Sequence, residues 1–227
     1  MINHNFTLQN VFKEAWSKVK AHAWYLFVVF FVSATIMAAL ARTGILEGLA
    51  CIAVSIAIIT VSLMIVDGHT PTCNDLFKHF KSNKVPWNYT VASILYILVV
   101  LLGFGSIVAL LGTLAIATSP MSLGFTPLSY ITIALCALVF LVTLYYAIRL
   151  QFYKFIVVSD ENVRGMDALK KSYHMTGTGF WKLVAFIIVV IIMNIVGAIP
   201  FGLGLIVTVP VTLIAYTIVY KKYAHHE

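Results

Sequence analysis

Metal binding, nucleophilic attack and acid–base catalysis each need a few reactive side chains held close together, and this chain scatters the ones it has. Its seven histidines, His4, His22, His69, His79, His174, His225 and His226, all lie in polar connections or tails. None stands at a metal-ligand spacing from a Cys, Asp or Glu. The three cysteines, Cys51, Cys73 and Cys136, are far apart, and Cys51 and Cys136 sit in apolar runs, where a thiol behaves as a small hydrophobe. Gly177-Thr178-Gly179 precedes an apolar run and reads as a flexible helix end rather than a phosphate-cradling loop. No metal, cofactor or catalytic residue is assigned on this basis, and an enzyme is not expected.

The side chains that do recur in a pattern are lysines and tryptophans. Asn10-Val11-Phe12-Lys13 leads to Trp24, Asp75-Leu76-Phe77-Lys78 leads to Trp87, and Asp167-Ala168-Leu169-Lys170 leads to Trp181. Each Trp opens an apolar run. Basic residues beside an anionic leaflet contribute about 1 kcal/mol each, and Trp rings favour the headgroup level. Lys78, Lys81, Lys84, Arg149, Lys170, Lys171 and Trp181 are therefore the candidate contacts to lipid head groups. The expected partners are membrane lipids, anionic ones first, with a protein partner or a second copy of the chain as the other class. A formal charge of +7 suggests nucleic acid in a soluble protein, but no recognition module accompanies it here.

The elements that carry these residues follow from composition. Hydrophobic residues make up 61% of the chain and charged ones 10%, against roughly 45–50% and 25% in a soluble domain. This predicts an all-α integral membrane protein with six transmembrane helices. The spans run from Trp24 to Ala41, Ile45 to Val66, Trp87 to Ala117, Pro127 to Val158, Phe180 to Ile199 and Leu205 to Tyr220. About 20 apolar residues cross about 30 Å of hydrocarbon, so the third and fourth runs are overlong. Gly103-Phe104-Gly105 is a predicted break in the third. The fourth is predicted to leave the bilayer as an amphipathic continuation, with Arg149, Gln151 and Lys154 among Leu150, Phe152, Phe155 and Ile156, and with Tyr145, Tyr146 and Tyr153 near the head groups. Gly44 and Gly48 are spaced to let two backbones approach, Arg42 and Glu47 beside them read as a solvated or local pair, and Pro210 is a predicted kink.

Thr7 to Lys20 has the apolar stripe of an uncleaved interfacial helix lying on the membrane surface. Thr72 and Asp75 form a capping pair ahead of a second such helix, with Cys73, Leu76, Phe77 and Phe80 on one side. The third precedes Trp181. The chain is thus read as one membrane domain of three pseudo-repeated helix-hairpin modules, over residues 7–66, 72–158 and 160–223. The equal intervals from Trp87 to Gly103 and from Trp181 to Gly197 relate the last two.

Lysines and arginines then orient it. Residues 1–23 carry three, 67–86 three, 149–182 six and the tail two, while the links on the other side carry only Arg42. The positive-inside rule places the amphipathic helices and both termini on the cytoplasmic face of an inner membrane.

One resemblance adds to this reading. The run Tyr145 to Phe152, Ser159-Asp160, Ala168 to Ser172 with Gly177 and Trp181, and then Gly197, Pro200, Gly202, Gly204, Pro210 and Tyr216 resembles the end of a poorly characterised bacterial family of polytopic membrane proteins. That family includes the membrane domain found beside some glycerophosphoryl diester phosphodiesterases. The resemblance covers the last third of the chain, and its motifs are mostly small, aromatic and basic residues. It implies a six-helix membrane domain without established catalytic residues. The soluble hydrolase domain has no counterpart in this sequence, so no hydrolase activity carries over. The functional expectation is a noncatalytic module that interacts with lipid or a partner. The alternative is a small-solute transporter or channel component, for which Ser106, Thr113, Thr143, Asn194, Thr208 and Thr212 are the candidate polar groups within the spans.

Overall fold

The computed structural model describes residues 7–76, 79, 84–118, 125–177, 179–199 and 202–224, and among them every regular element is a helix. The elements are α1 (Leu8–Ala21), α2 (Ala23–Leu40), α3 (Ile45–Val66), α4 (Cys73–Leu76), α5 (Lys84–Ala117), α6 (Pro127–Leu150), α7 (Tyr153–Ser159), α8 (Gly165–Met175), α9 (Phe180–Ala198) and α10 (Leu205–Ala224). Among the described residues six segments are long and apolar enough to cross a membrane: α2, α3, α5, α6 with α7, α9 and α10. The protein is an all-α, multi-pass membrane protein.

The helices begin and reverse where the local chemistry directs them. Thr126 caps α6, its side chain accepting the Ser129 N–H, and Pro127 supplies the first helical residue, whose missing donor costs nothing there. Asp75 accepts from both the backbone N–H and the hydroxyl of Thr72, at 2.9 and 2.6 Å, as the capping pair predicts. Between α2 and α3 the chain turns through left-handed backbone at Arg42 (φ 77°) and Gly44 (φ 64°). The Glu47 carboxylate accepts the Arg42 backbone N–H at 3.0 Å, so this acid is locally paired.

Consecutive spans pack as hairpins, α2 on α3, α5 on α6, and α9 on α10. Burial is concentrated toward one end of the bundle. It falls on Ile56 to Ile65 of α3, Val85 to Ala92 of α5, Leu183 to Val190 of α9 and Val211 to Tyr223 of α10, with α7 among them. The other halves leave large apolar side chains such as Leu49, Leu102, Leu111, Leu135, Ile195 and Leu203 exposed, as suits a surface in lipid. Trp24, Trp87 and Trp181 point outward at 78, 69 and 80% exposure, while the residues two and five positions after each are buried: Leu26 and Val29, Tyr89 and Ala92, Leu183 and Phe186. A second match lies upstream. Val11, Ala15 and Val19 stand at the same distances before Trp24 as Ala168, Ser172 and Thr176 before Trp181, and all six are buried.

Four expectations need correction. The α1 stripe faces protein, not a lipid surface: Val11, Ala15 and Val19 are covered as α1 packs along α10, and Phe12 stacks on Phe186 of α9 at 5.7 Å. Lys18 adds to this by donating to the last carbonyls of α3, at 3.4 Å on Ile65 and 3.2 Å on Val66. The fourth apolar run is not one helix leaving the bilayer. It breaks at Gln151–Phe152, and Phe152, Tyr153 and Phe155 to Val158 are buried where α7 packs against α3, α5 and α8. Tyr153 is therefore a core residue, its hydroxyl donating to Ser93 at 3.1 Å. Gly103-Phe104-Gly105 does not interrupt α5; a Cβ at Gly103 would stand 2.7 Å from Thr143 Oγ1, so the glycine lets α5 and α6 approach. Gly44 and Gly48, by contrast, have nothing within 4 Å of where a Cβ would be. The close backbone approach lies between Gly197 and Gly204.

Candidate functional site

Arg149 lies in the last turn of α6 and is 8% exposed, although its charge is expected at a headgroup interface. Its Nη1 donates to the Tyr145 hydroxyl and its Nη2 to the Tyr173 carbonyl, both at 2.6 Å, and Nε reaches Thr176 Oγ1 at 3.5 Å. The guanidinium lies 3.5 Å from the centre of the Tyr173 ring, close enough for cation–π attraction. Among the described residues no carboxylate bonds it. Arg149 is thus a clamp between α6 and α8.

The same clamp explains the break after α6. Ser172 of α8 and Thr176 at its C-terminal cap donate their hydroxyls to the Arg149 carbonyl at 2.8 and 3.2 Å, and Ser172 also accepts the Phe152 N–H at 3.2 Å. These bonds replace those that a continuing helix would make. Gly177 is small because a Cβ there would stand 2.8 Å from Arg149 Nη2. The Tyr173 hydroxyl is held above the usual phenol range, first by its hydrogen bond to Tyr145 and then by burial, with the nearby guanidinium opposing.

The other predicted contacts separate from this node. Lys170 and Lys171 are exposed on α8, opposite its buried Ala168, Leu169 and Ser172. Lys84 is exposed as the first residue of α5. Trp181 faces outward at the start of α9. Lys78 and Lys81 lie outside the described residues, as does most of the second predicted amphipathic helix beyond α4.

Two features went unseen in the sequence. His79 pairs with Glu161, Nδ1 to Oε1 at 3.2 Å, across 82 residues, and Lys221 bonds Asp67 across the same end of the bundle. His79, Asp67 and Lys221 border a cavity of about 380 Å³ that Ser159 and Tyr220 also line. A second cavity, between α3, α5, α7 and α10, contains Gln151 and Lys154, which had been assigned to an amphipathic surface. No local signal marks either residue as inward-facing, because the break that turns them is made by α8.

Among the described residues no group of three or more His, Cys, Asp or Glu side chains is placed to hold a metal ion. The hydroxyls proposed for a transport path bond their own helices: Ser106 to Gly103, Thr113 to Ala109, Thr143 to Val139 and Thr212 to Val209. Thr208 instead donates to Asn194 Oδ1 at 3.2 Å, joining α9 to α10. No protein-family model, curated protein or solved structure matches this chain.

Proposed function

We propose that this protein is a noncatalytic, lipid-interacting module of an inner membrane, with both termini and the basic connections in the cytoplasm. The observation that carries the reading is the distribution of charge: fourteen of the fifteen Lys and Arg residues fall in the connections, short helices and span ends of one side, with Lys84, Lys170 and Lys171 exposed there. The outward Trp24, Trp87 and Trp181 mark the same level, at the start of the first helix in each hairpin. Arg149 serves this face indirectly, by fixing the helix that displays Lys170 and Lys171. The three hairpins are read as related modules, supported by the shared burial positions around their tryptophans. The family resemblance, to poorly characterised bacterial membrane domains, agrees with a module of this kind.

The test is native mass spectrometry of protein released from nanodiscs of mixed phosphatidylcholine and phosphatidylglycerol. Neutralising Lys78, Lys81, Lys84, Lys170 and Lys171 to Gln, at about 1 kcal/mol each, lowers retained phosphatidylglycerol by more than about tenfold. Unchanged retention refutes the lipid reading, and a stoichiometric protein partner in its place favours scaffolding. Transport is the weaker reading, resting on Asn194 and Thr208; solute flux in liposomes that Asn194→Leu abolishes would restore it.

A further inference from the structure

We infer that the cavity between α3, α5, α7 and α10 binds one phosphate-class oxyanion, as a lipid head group or free in solution. The cavity holds about 370 Å³, within the roughly 300–1,000 Å³ of small-ligand sites. Its polar lining is Ser55, Tyr89, Tyr96, Gln151, Lys154 and Tyr216, and the remaining walls are apolar. Lys154 is the one charged group in that lining. Its ammonium lies 5.9 Å from the centre of the Tyr153 ring, and no carboxylate bonds it among the described residues. Gln151 Nε2 is buried without a hydrogen-bond partner.

An ammonium and an amide N–H₂ only donate, so the strongest groups here call for acceptor oxygens. The lysine charge selects an anion, and the Tyr216 hydroxyl and the bonded Ser55–Tyr89 pair offer further donors, while Tyr96 donates to the Ala147 carbonyl at 3.4 Å. An ionisable side chain held inside a membrane bundle without a counter-charge is a functional site by default. Here the missing counter-charge and the orphaned donor face one cavity. The apolar walls suit an amphiphile whose head enters and whose chains stay in lipid.

This inference deepens the lipid reading, on which it rests for the ligand's source, and the two fail separately. In the nanodiscs described above, wild type keeps a single phosphatidylglycerol after the others are stripped by rising collision energy. Lys154→Gln removes one charge-assisted contact and lowers that last occupancy about tenfold. Leu213→Trp does the same by filling the cavity while leaving every charge in place. Lys170→Gln with Lys171→Gln weakens the bulk lipid shell but keeps the last molecule. For the free anion, inorganic phosphate is added to protein in pure phosphatidylcholine nanodiscs, and a melting shift present in wild type and lost in Lys154→Gln assigns the site to soluble oxyanion. The inference is overturned if Lys154→Gln and Leu213→Trp both hold the last lipid as wild type does and phosphate leaves the melt unmoved. Equal loss of the last lipid in the Lys170 and Lys171 variant, with no phosphate shift, also overturns it while leaving the lipid reading standing.

Discussion

Gly204→Ala is expected to loosen the α9–α10 hairpin, and the structure sets the size of the effect. A Cβ at Gly204 would stand 2.5 Å from the Gly197 carbonyl oxygen, 2.8 Å from Gly197 Cα and 3.0 Å from its carbonyl carbon. All three obstacles are backbone, so no side chain can rotate aside. To reach ordinary contact near 3.4 Å the two segments must part by roughly 0.9 Å, carrying Thr208 away from Asn194. Overpacking of this kind costs about 1–3 kcal/mol. The loss of chain freedom in the unfolded state returns about 0.4–1 kcal/mol, because Gly204 has no left-handed backbone to forbid alanine. The net expectation is about 1–2 kcal/mol of destabilisation. Gly105→Ala is the internal comparison: Gly105 lies inside α5 with nothing within 4 Å, so alanine should stabilise by about 0.5–1 kcal/mol. Unfolding in mixed micelles titrated with dodecyl sulfate, followed by helical circular dichroism, measures both. If Gly204→Ala is as stable as wild type, or the two variants shift in the same direction, the close approach assigned to this hairpin is wrong.

Two further outcomes follow from the clamp and from the charge distribution. Ser172→Ala leaves the buried Phe152 N–H without its acceptor and should cost about 1–3 kcal/mol in the same titration, with Ser172→Thr restoring most of it; an alanine variant of unchanged stability would show that the α6–α7 break does not depend on α8. A reporter active only in the cytoplasm should work when fused at Lys84 and stay silent at Arg42, and the reverse pattern would invert the proposed orientation.

Much of the molecule was legible before folding because a bilayer makes hydropathy and length decisive. The second span, Ile45–Val66, was located to the residue, and the fifth and sixth within a few residues, since an apolar run of crossing length has one low-energy disposal. The Thr72–Asp75 cap and the local role of Glu47 were legible for the same reason: both depend on neighbours only a few residues away. The exposure of Lys170, Lys171 and Trp181 was legible from the helical period of α8 and the start of α9. What periodicity cannot state is the identity of the opposing surface. Val11, Ala15 and Val19 form the same stripe whether lipid or α10 covers it, and the choice rests on contacts between the two ends of the chain.

Arg149 shows the boundary most clearly. Its place at the end of a basic, aromatic run reads as a position near a membrane boundary, because charge and Tyr side chains have strong depth preferences. That it turns inward, binds Tyr145 and Tyr173, and helps divide α6 from α7 depends on α8 folding back across the helix end with Ser172 and Thr176 in reach. The same fold-back carries Lys154 and Gln151 from a presumed surface into a cavity. Sequence determined which segments enter lipid, since each segment's transfer free energy is nearly its own. Tertiary structure decided which polar groups meet inside the bundle, since each meeting needs donors and acceptors from helices far apart along the chain.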